Sequence, residues 1–406
     1  VELVLQVPDV IDFYRQCNAI LWVLATVDFS SELPLISITL LRAADLRQFS
    51  YEQEANQHVI ISAKILNAFC TAVLTKLGMP LEQATPVAAN LIEADLQGVA
   101  SHGIVRFPIY VDRIRAGVMN PNPQVRVTRE TRTTAVVDGD NGMGQWVGMR
   151  AMQIAIDKGL SGNCAFVSVR NSNHFGAAAY YAHMAVAHDM IGFSFTIGGI
   201  NHMTPWGGAQ AMLGNNPLAV ALGAGEERPI VLDMACSVAA RGKIIVAAKD
   251  NTPIPADWAT GPDGQPTTDP VEALKGFVLP VGGPKGYSLT LVIGLLSTML
   301  SGAAFGSEVT DMYEDLERNQ NVGHLFGVLP ITLFEDIDVY KRRMDQAIRE
   351  IRGVPRAPGV DRIYLPGERE QILAEEQART GVHLKEQVWD ELLEVGKRHG
   401  VDLRTE

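Results

Sequence analysis

The stretch Thr133-Thr-Ala-Val-Val-Asp-Gly-Asp-Asn-Gly-Met-Gly-Gln-Trp-Val-Gly148 decides which kind of fold this chain can have. Residues 133–137 read as a strand, and Asp138-Gly139-Asp140-Asn141-Gly142 as the turn that ends it. A dinucleotide fingerprint would place Gly-x-Gly-x-x-Gly here, with an acidic residue closing the next strand. From Gly142 the order is instead Gly-x-Gly-x-x-x-Gly, and no acidic residue ends a strand at the required distance. A Rossmann site is therefore excluded at this turn.

Outward from that stretch the pattern alternates. Residues 125–127 read as a strand, 151–158 as a helix, 164–169 as a strand and 177–187 as a helix; strands follow at 191–197, 219–222 and 230–234. Such alternation predicts an α/β region. Upstream, Ile61, Ile65, Ala68, Phe69, Ala72 and Val73 recur at helical spacing, so a helix is expected from Val59 to the Gly78-Met79-Pro80 stop. Helices are expected over 84–96 and 104–116, before Asn120-Pro-Asn-Pro123 breaks the chain. Residues 287–300 are apolar nearly all round and read as a buried central helix. Helices over 338–352, 368–380 and 386–398 close the chain, punctuated by Pro355, Pro358 and Pro366. The expected organisation is an α/β domain over 123–325 and a discontinuous helical domain made of 56–122 and 326–406. Residues 1–55, with irregular apolar clusters, read as an extension of unknown role.

Composition removes several function classes. The formal net charge of −12 argues against a nucleic-acid face and against docking on anionic membranes. The four cysteines lack any Cys-x-x-Cys pair, which excludes a zinc ribbon or disulfide scaffold and suits free thiols in a reducing cytoplasm. The apolar runs 287–300 and 19–27 are too short to span a bilayer, so a cytoplasmic protein with no membrane partner is expected. No metal site is expected, because His183 and His188 are five apart and no histidine or carboxylate cluster has ligand spacing. The acidic run 311–317 reads as a solvated helix face.

Three constellations could carry chemistry. In Ser101-His102-Gly103-Ile104-Val105-Arg106, a helical turn would put His102 and Arg106 on one face. Histidine can shuttle a proton near neutral pH, and arginine can grip a carboxylate through two parallel hydrogen bonds. Asn171-Ser172-Asn173-His174-Phe175-Gly176 follows a strand and precedes a helix, where main-chain N–H groups can meet an anion. Gly282-Gly283-Pro284-Lys285-Gly286 opens the apolar helix, with Lys285 where a phosphate could sit. It lacks Walker spacing. Taken singly, the first two read more readily as a capped helix start and a capped turn, and the third as readily as a glycine turn.

Their order and separation, however, resemble the malate/L-lactate dehydrogenase family that is distinct from the Rossmann lactate and malate dehydrogenases. The matching stretches include Glu93-Ala-Asp-Leu-Gln-Gly-Val-Ala-Ser-His-Gly103, Val136-Val-Asp-Gly-Asp-Asn-Gly142 and Val169-Arg-Asn-Ser-Asn-His-Phe-Gly176. Pro205-Trp-Gly-Gly208, Gly214-Asn-Asn-Pro217, Leu232-Asp-Met-Ala235 and Ala240-Arg-Gly-Lys243 continue the series. Gly282-Gly-Pro-Lys-Gly286, Asn321-Val-Gly-His-Leu-Phe326 and Leu365-Pro-Gly-Glu368 complete it. That family includes ureidoglycolate, sulfolactate and diketogulonate oxidoreductases and the cyclic-imine (piperideine-2-carboxylate) reductases.

The resemblance implies an α/β fold with a non-Rossmann mixed-sheet cofactor domain, and a discontinuous helical domain formed by both chain ends. It also implies a homodimer with active sites near the subunit interface. His102 would be the proton donor and acceptor, Ser101 its helper and Arg106 the substrate-carboxylate ligand. His174, Phe175, Gly176, Ala177 and Ala178 would contact cofactor, with His174 also in the catalytic group. Asp233, Met234, Ala235, Gly282, Gly283, Lys285, Asn321, Gly323 and His324 would be further cofactor contacts, and Asn215 a substrate contact. Two departures, Lys243 in place of an aspartate and Asn215 in place of a threonine, weigh against imine reduction. The implied reaction is hydride transfer between NAD or NADP and a small 2-hydroxy/2-oxo acid of malate, lactate, ureidoglycolate or sulfolactate type. NADPH-dependent imine or ketimine reduction at the same site is the alternative, and a catalytically silent cofactor-binding protein is the reading of another class. A hydrolase on Ser101 and His102 ranks below these, since adjacent residues rarely face each other as nucleophile and base.

Overall fold

The computed structural model describes residues 21–28, 35–42 and 58–403. Apart from two strands, the 1–55 extension lies outside the described residues. Those strands, β1 (Leu21–Asp28) and β2 (Leu35–Arg42), pair antiparallel with Leu21 opposite Arg42. The chain divides into a small unit, residues 1–60 with 383–389, and a large one, residues 61–382 with 390–406. Residues 59–61, expected as the first turn of a helix, instead belong to strand β3 (His58–Ile61). The run Val59-Ile60-Ile61 is β-branched throughout, which favours extended backbone. The helix α1 (Ala63–Lys76) starts only after Ser62.

In the large unit α1 packs with α2 (Leu81–Leu96), and α3 (Phe107–Arg115) follows after an irregular segment. The main sheet has seven strands: β4 (Arg126–Glu130), β5 (Thr134–Asp138), β6 (Ala165–Ser172), β7 (Met190–Thr196), β8 (Leu218–Leu222), β9 (Ile230–Met234) and β12 (Val322–Pro330). Their order is β4-β5-β6-β12-β7-β8-β9. Only β5 and β6 run parallel, with Thr134 opposite Phe166 and Asp138 opposite Arg170. The mixed sheet was expected. Its central strand β12 was not among the predicted strands, and it runs through 325–326, where a domain edge was expected. β12 is buried almost throughout, so its sequence, apolar on both faces apart from His324, shows no alternation.

Helices α4 (Gly144–Leu160) and α5 (Ala178–Met184) cover the sheet. Helix α6 (Arg241–Lys249), strand β10 (Ala259–Thr260), helix α7 (Pro270–Lys275) and strand β11 (Phe277–Val278) form a lobe around Met203, Leu213, Ile244 and Ile254. Helix α8 (Pro284–Thr298) departs from the buried-helix expectation. Its small residues Gly286, Thr290, Gly294 and Ser297 face inward, while Leu289, Val292, Leu295 and Leu296 are exposed. The small side chains permit close approach to the sheet: a Cβ on Gly323 of β12 would lie 2.2 Å from the Ser297 carbonyl oxygen. Apolarity on every face therefore does not mean burial on every face in this chain.

The closing elements are α9 (Ile337–Gly353), α10 (Glu368–Thr380), β13 (Val382–Lys385) and α11 (Glu386–His399). Within the large unit the early and the closing helices meet. Gln377 of α10 donates to the carbonyls of Asp95 and Leu96 at the end of α2, and Lys76 of α1 donates to those of His399 and Gly400. No described helix is long and apolar enough to cross a membrane. Among the described residues, Cys70, Cys164 and Cys236 are free thiols.

Candidate active site

A helix was expected from 104, and a helical turn over 101–106 would have put His102 and Arg106 on one face. It forms two single 3₁₀ turns, Ala100–His102 and Ile104–Arg106, kinked at Gly103. The cause lies on α2. Asp95 accepts the Ile104 N–H at 2.6 Å, and a Cβ on Gly103 would lie 2.2 Å from its carboxylate oxygen. Only glycine lets the backbone pass this close. The kink brings Ser101, His102 and Arg106 to one cavity of about 1250 Å³.

His102 pairs through Nδ1 with the Ser101 hydroxyl at 2.9 Å. Burial, and then the Arg106 charge, lower its pKa to about 4. Arg106 donates through Nε to the Ser101 carbonyl at 2.6 Å, and its guanidinium lies over the Tyr313 ring at 5.3 Å. His174 arrives from the β6–α5 connection. Its ring stacks on that of His102 with centroids 5.6 Å apart, and its Nδ1 is 2.6 Å from the Tyr110 hydroxyl of α3. Burial holds His174 well below its ordinary pKa, helped by His102, Arg106 and His324. Close backbone packing fixes its loop, because a Cβ on Gly144 would lie 2.2 Å from the Asn173 carbonyl oxygen.

Of the residues singled out in the sequence, Ser101, His102, Arg106, His174 to Ala178, Asn215, Asp233 and Ala235 line this cavity. Asp233 accepts the Ala179 N–H at 2.8 Å; desolvation raises its carboxyl to about 6 against that hydrogen bond. Met234, between two lining residues, is not in the wall. Gly282, Gly283 and Lys285 are not in the wall either, and Gly283 packs beside Trp206. Asn321, Gly323 and His324 are not among the lining residues. Asn321 accepts the Asn171 N–H at 2.8 Å. His324 is fully buried, bonded to Thr196 and Ser172, and stacked on Phe175 at 4.6 Å; burial lowers its pKa to about 3. It supports the cavity wall as a neutral ring. Lys243 sits over Trp258 at 6.0 Å, outside the lining.

Several participants were not singled out in the sequence. The run 311–317, expected as a solvated helix face, is an irregular segment whose residues 311–314 line the cavity. Fully buried Arg113 donates to the carbonyls of Met312, Asp315 and Arg318, which fastens this segment above Arg106. Gln320 accepts the His174 N–H at 3.3 Å and donates to the carbonyls of Gly199 and Thr310. A charged residue on the apolar face of α3 was the available signal for Arg113. Asp95 and Gln320 carried none that spacing could reveal.

The arrangement pairs a neutral imidazole with a guanidinium in a cavity at the edge of a mixed sheet. A family model described as malate/L-lactate dehydrogenase matches residues 61–393. The chain is 40% identical over 352 residues to a malate dehydrogenase of Pyrococcus abyssi, covering 85% of this chain and 96% of the relative. It is 34% identical to a ureidoglycolate dehydrogenase (NAD(+)) of Escherichia coli O157:H7, covering 82% and 95%. The solved sulfolactate dehydrogenase of Methanocaldococcus jannaschii superposes with a TM-score of 0.80 at 38% identity, covering 85% of this chain and 98% of that one. With the fold, the ordered motifs and these likenesses in agreement, the chain belongs to the malate/L-lactate dehydrogenase family.

Proposed function

We propose that this protein catalyses reversible hydride transfer between a nicotinamide dinucleotide, NAD or NADP, and a small 2-hydroxy/2-oxo acid of the malate, sulfolactate or ureidoglycolate type. The observation that carries this reading is the meeting of Ser101, His102 and Arg106 in one cavity of about 1250 Å³. The space exceeds the roughly 300–1,000 Å³ of ordinary ligand pockets, as a dinucleotide beside a small acid requires. Gly176 at φ +81°, with Gly198 and Gly199 in the wall, gives backbone room for a cofactor. The Asp233 carboxylate at the end of β9 offers an acceptor for hydroxyl groups.

When bound, the cofactor supplies the hydride chemistry. Arg106 holds the substrate carboxylate; with Nε committed to the Ser101 carbonyl, its terminal nitrogens remain for the two carboxylate oxygens. In oxidation, neutral His102 takes the hydroxyl proton as the hydride leaves C2. In reduction, protonated His102 returns it to the carbonyl oxygen. Ser101 orients the ring through Nδ1. Desolvation keeps His102 neutral at neutral pH, which suits the base of the oxidative direction.

The same reading includes a homodimer in a reducing cytoplasm. The exposed Leu289, Val292, Leu296 and Met299 of the α8 region support it, since contiguous apolar surface marks an interface.

A screen of oxaloacetate, pyruvate and sulfopyruvate with NADH and NADPH, read by nicotinamide absorbance, tests the reaction. Oxidation of cofactor by at least one oxo acid is expected. Turnover confined to pyruvate plus an alkylamine would transfer the site to imine reduction, and no turnover with any of them, nor with ureidoglycolate and NAD or NADP in the oxidative direction, rejects the proposal. Light scattering tests the dimer.

A further inference from the structure

The hydroxyl of Tyr110 and Nδ1 of His174 are 2.6 Å apart. Tyr110 is fully buried on α3, its ring 6.1 Å from that of His174. A neutral imidazole has one N–H donor and one bare nitrogen, and a neighbour decides which is which. We propose that Tyr110 is a positioning residue: its hydroxyl donates to Nδ1 of His174, fixes the proton on Nε2, and so sets His174 as a hydrogen-bond donor to an oxygen of the bound reactant beside His102. This rests on the oxidoreductase reading above, but its first test does not.

Three observations support it. Burial keeps the phenol protonated, well above its ordinary pKa, so its proton needs an acceptor. Nδ1 of His174 lies within reach to take it. Burial, His102, Arg106 and His324 together disfavour the His174 cation, so the ring does not carry both protons. The two stacked imidazoles are held from different sides: His102 at Nδ1 by Ser101, and His174 at Nδ1 by Tyr110 and at its main-chain N–H by Gln320. Parallel rings with centroids 5.6 Å apart are not placed to hydrogen-bond each other. That leaves Nε2 of His174, in the cavity wall, for a ligand. The pair therefore divides the work: His102 moves a proton, and His174 keeps its own and donates a hydrogen bond.

The test is ¹⁵N NMR of the full chain labelled at histidine, with the His174 signals assigned by their loss in His174→Gln. Wild type is expected to show a bare Nδ1 and a protonated Nε2. In Tyr110→Phe, which keeps the ring and removes the hydroxyl, the fixed tautomer is expected to give way to a mixture. With it, kcat/KM should fall about tenfold, the effect of one misdirected hydrogen bond. A protonated Nδ1 in wild type overturns the proposal, and that spectrum decides the matter even where the variant fails to fold. Loss of turnover in Tyr110→Phe with an unchanged tautomer also overturns it, because the hydroxyl would then serve structure alone. If wild type turns over no oxo acid, the functional reading fails while the spectrum still tests the Tyr110 assignment.

Discussion

The Asp95 carboxylate accepts the main-chain N–H of Ile104 at 2.6 Å, and this bond kinks the chain between His102 and Arg106. Ile104 is fully buried, so water cannot replace the acceptor. Asp95→Ala should cost about 1–3 kcal/mol of stability and reduce turnover, whereas Asp95→Asn keeps a carbonyl acceptor and most of both. Denaturant unfolding checks this. Equal losses in the two variants would remove Asp95 from the role.

The same carboxylate should make stability depend on pH. Burial raises it from 3.8 to about 7, against the pull of the Ile104 N–H. The folded state then holds this proton more tightly than the unfolded chain. Its contribution is full below about pH 4 and is lost as pH rises through about 7. Asp95→Asn should flatten that part of the melting-temperature profile; a slope identical to wild type contradicts the assignment.

His102→Ala should retain nicotinamide binding, read by fluorescence quenching, and lose about 10²–10⁴-fold in turnover. Because His102 titrates near pH 4 in the free protein, oxidation should show no loss from this group above that range. Reduction, which starts from the protonated ring, should weaken as pH rises. Parallel pH profiles in the two directions would remove His102 as the proton carrier.

Arg106→Ala should raise KM for carboxylate substrates by about 10–100-fold, as expected for a lost charge-assisted pair, with a smaller effect on kcat. An uncharged analogue provides the control, and an equal loss on it would contradict carboxylate binding.

Arg113→Met should loosen the 311–318 segment by removing donors from three carbonyls. Tyr313 would then lose its place over Arg106. KM should rise several-fold and stability should fall by about 1–3 kcal/mol. Unchanged KM in a destabilised variant would confine Arg113 to folding.

Fold class, the absence of a Rossmann fingerprint after β5, and the Ser101-His102 and Arg106 motif could be read from the residues in order. These are legible because turns, helix stops and ordered motifs are local in the chain. The central strand β12 was hidden, since burial on both faces removes alternation. The outward face of α8 was hidden too, because small inward residues are as apolar by composition as large outward ones. Tertiary structure alone decided the site's supports. Asp95 bonds Ile104 nine positions on, Tyr110 meets His174 across 64 positions, and Gln320 reaches it across 146. These contacts depend on which elements the sheet and helical layer bring together, and no local periodicity records them.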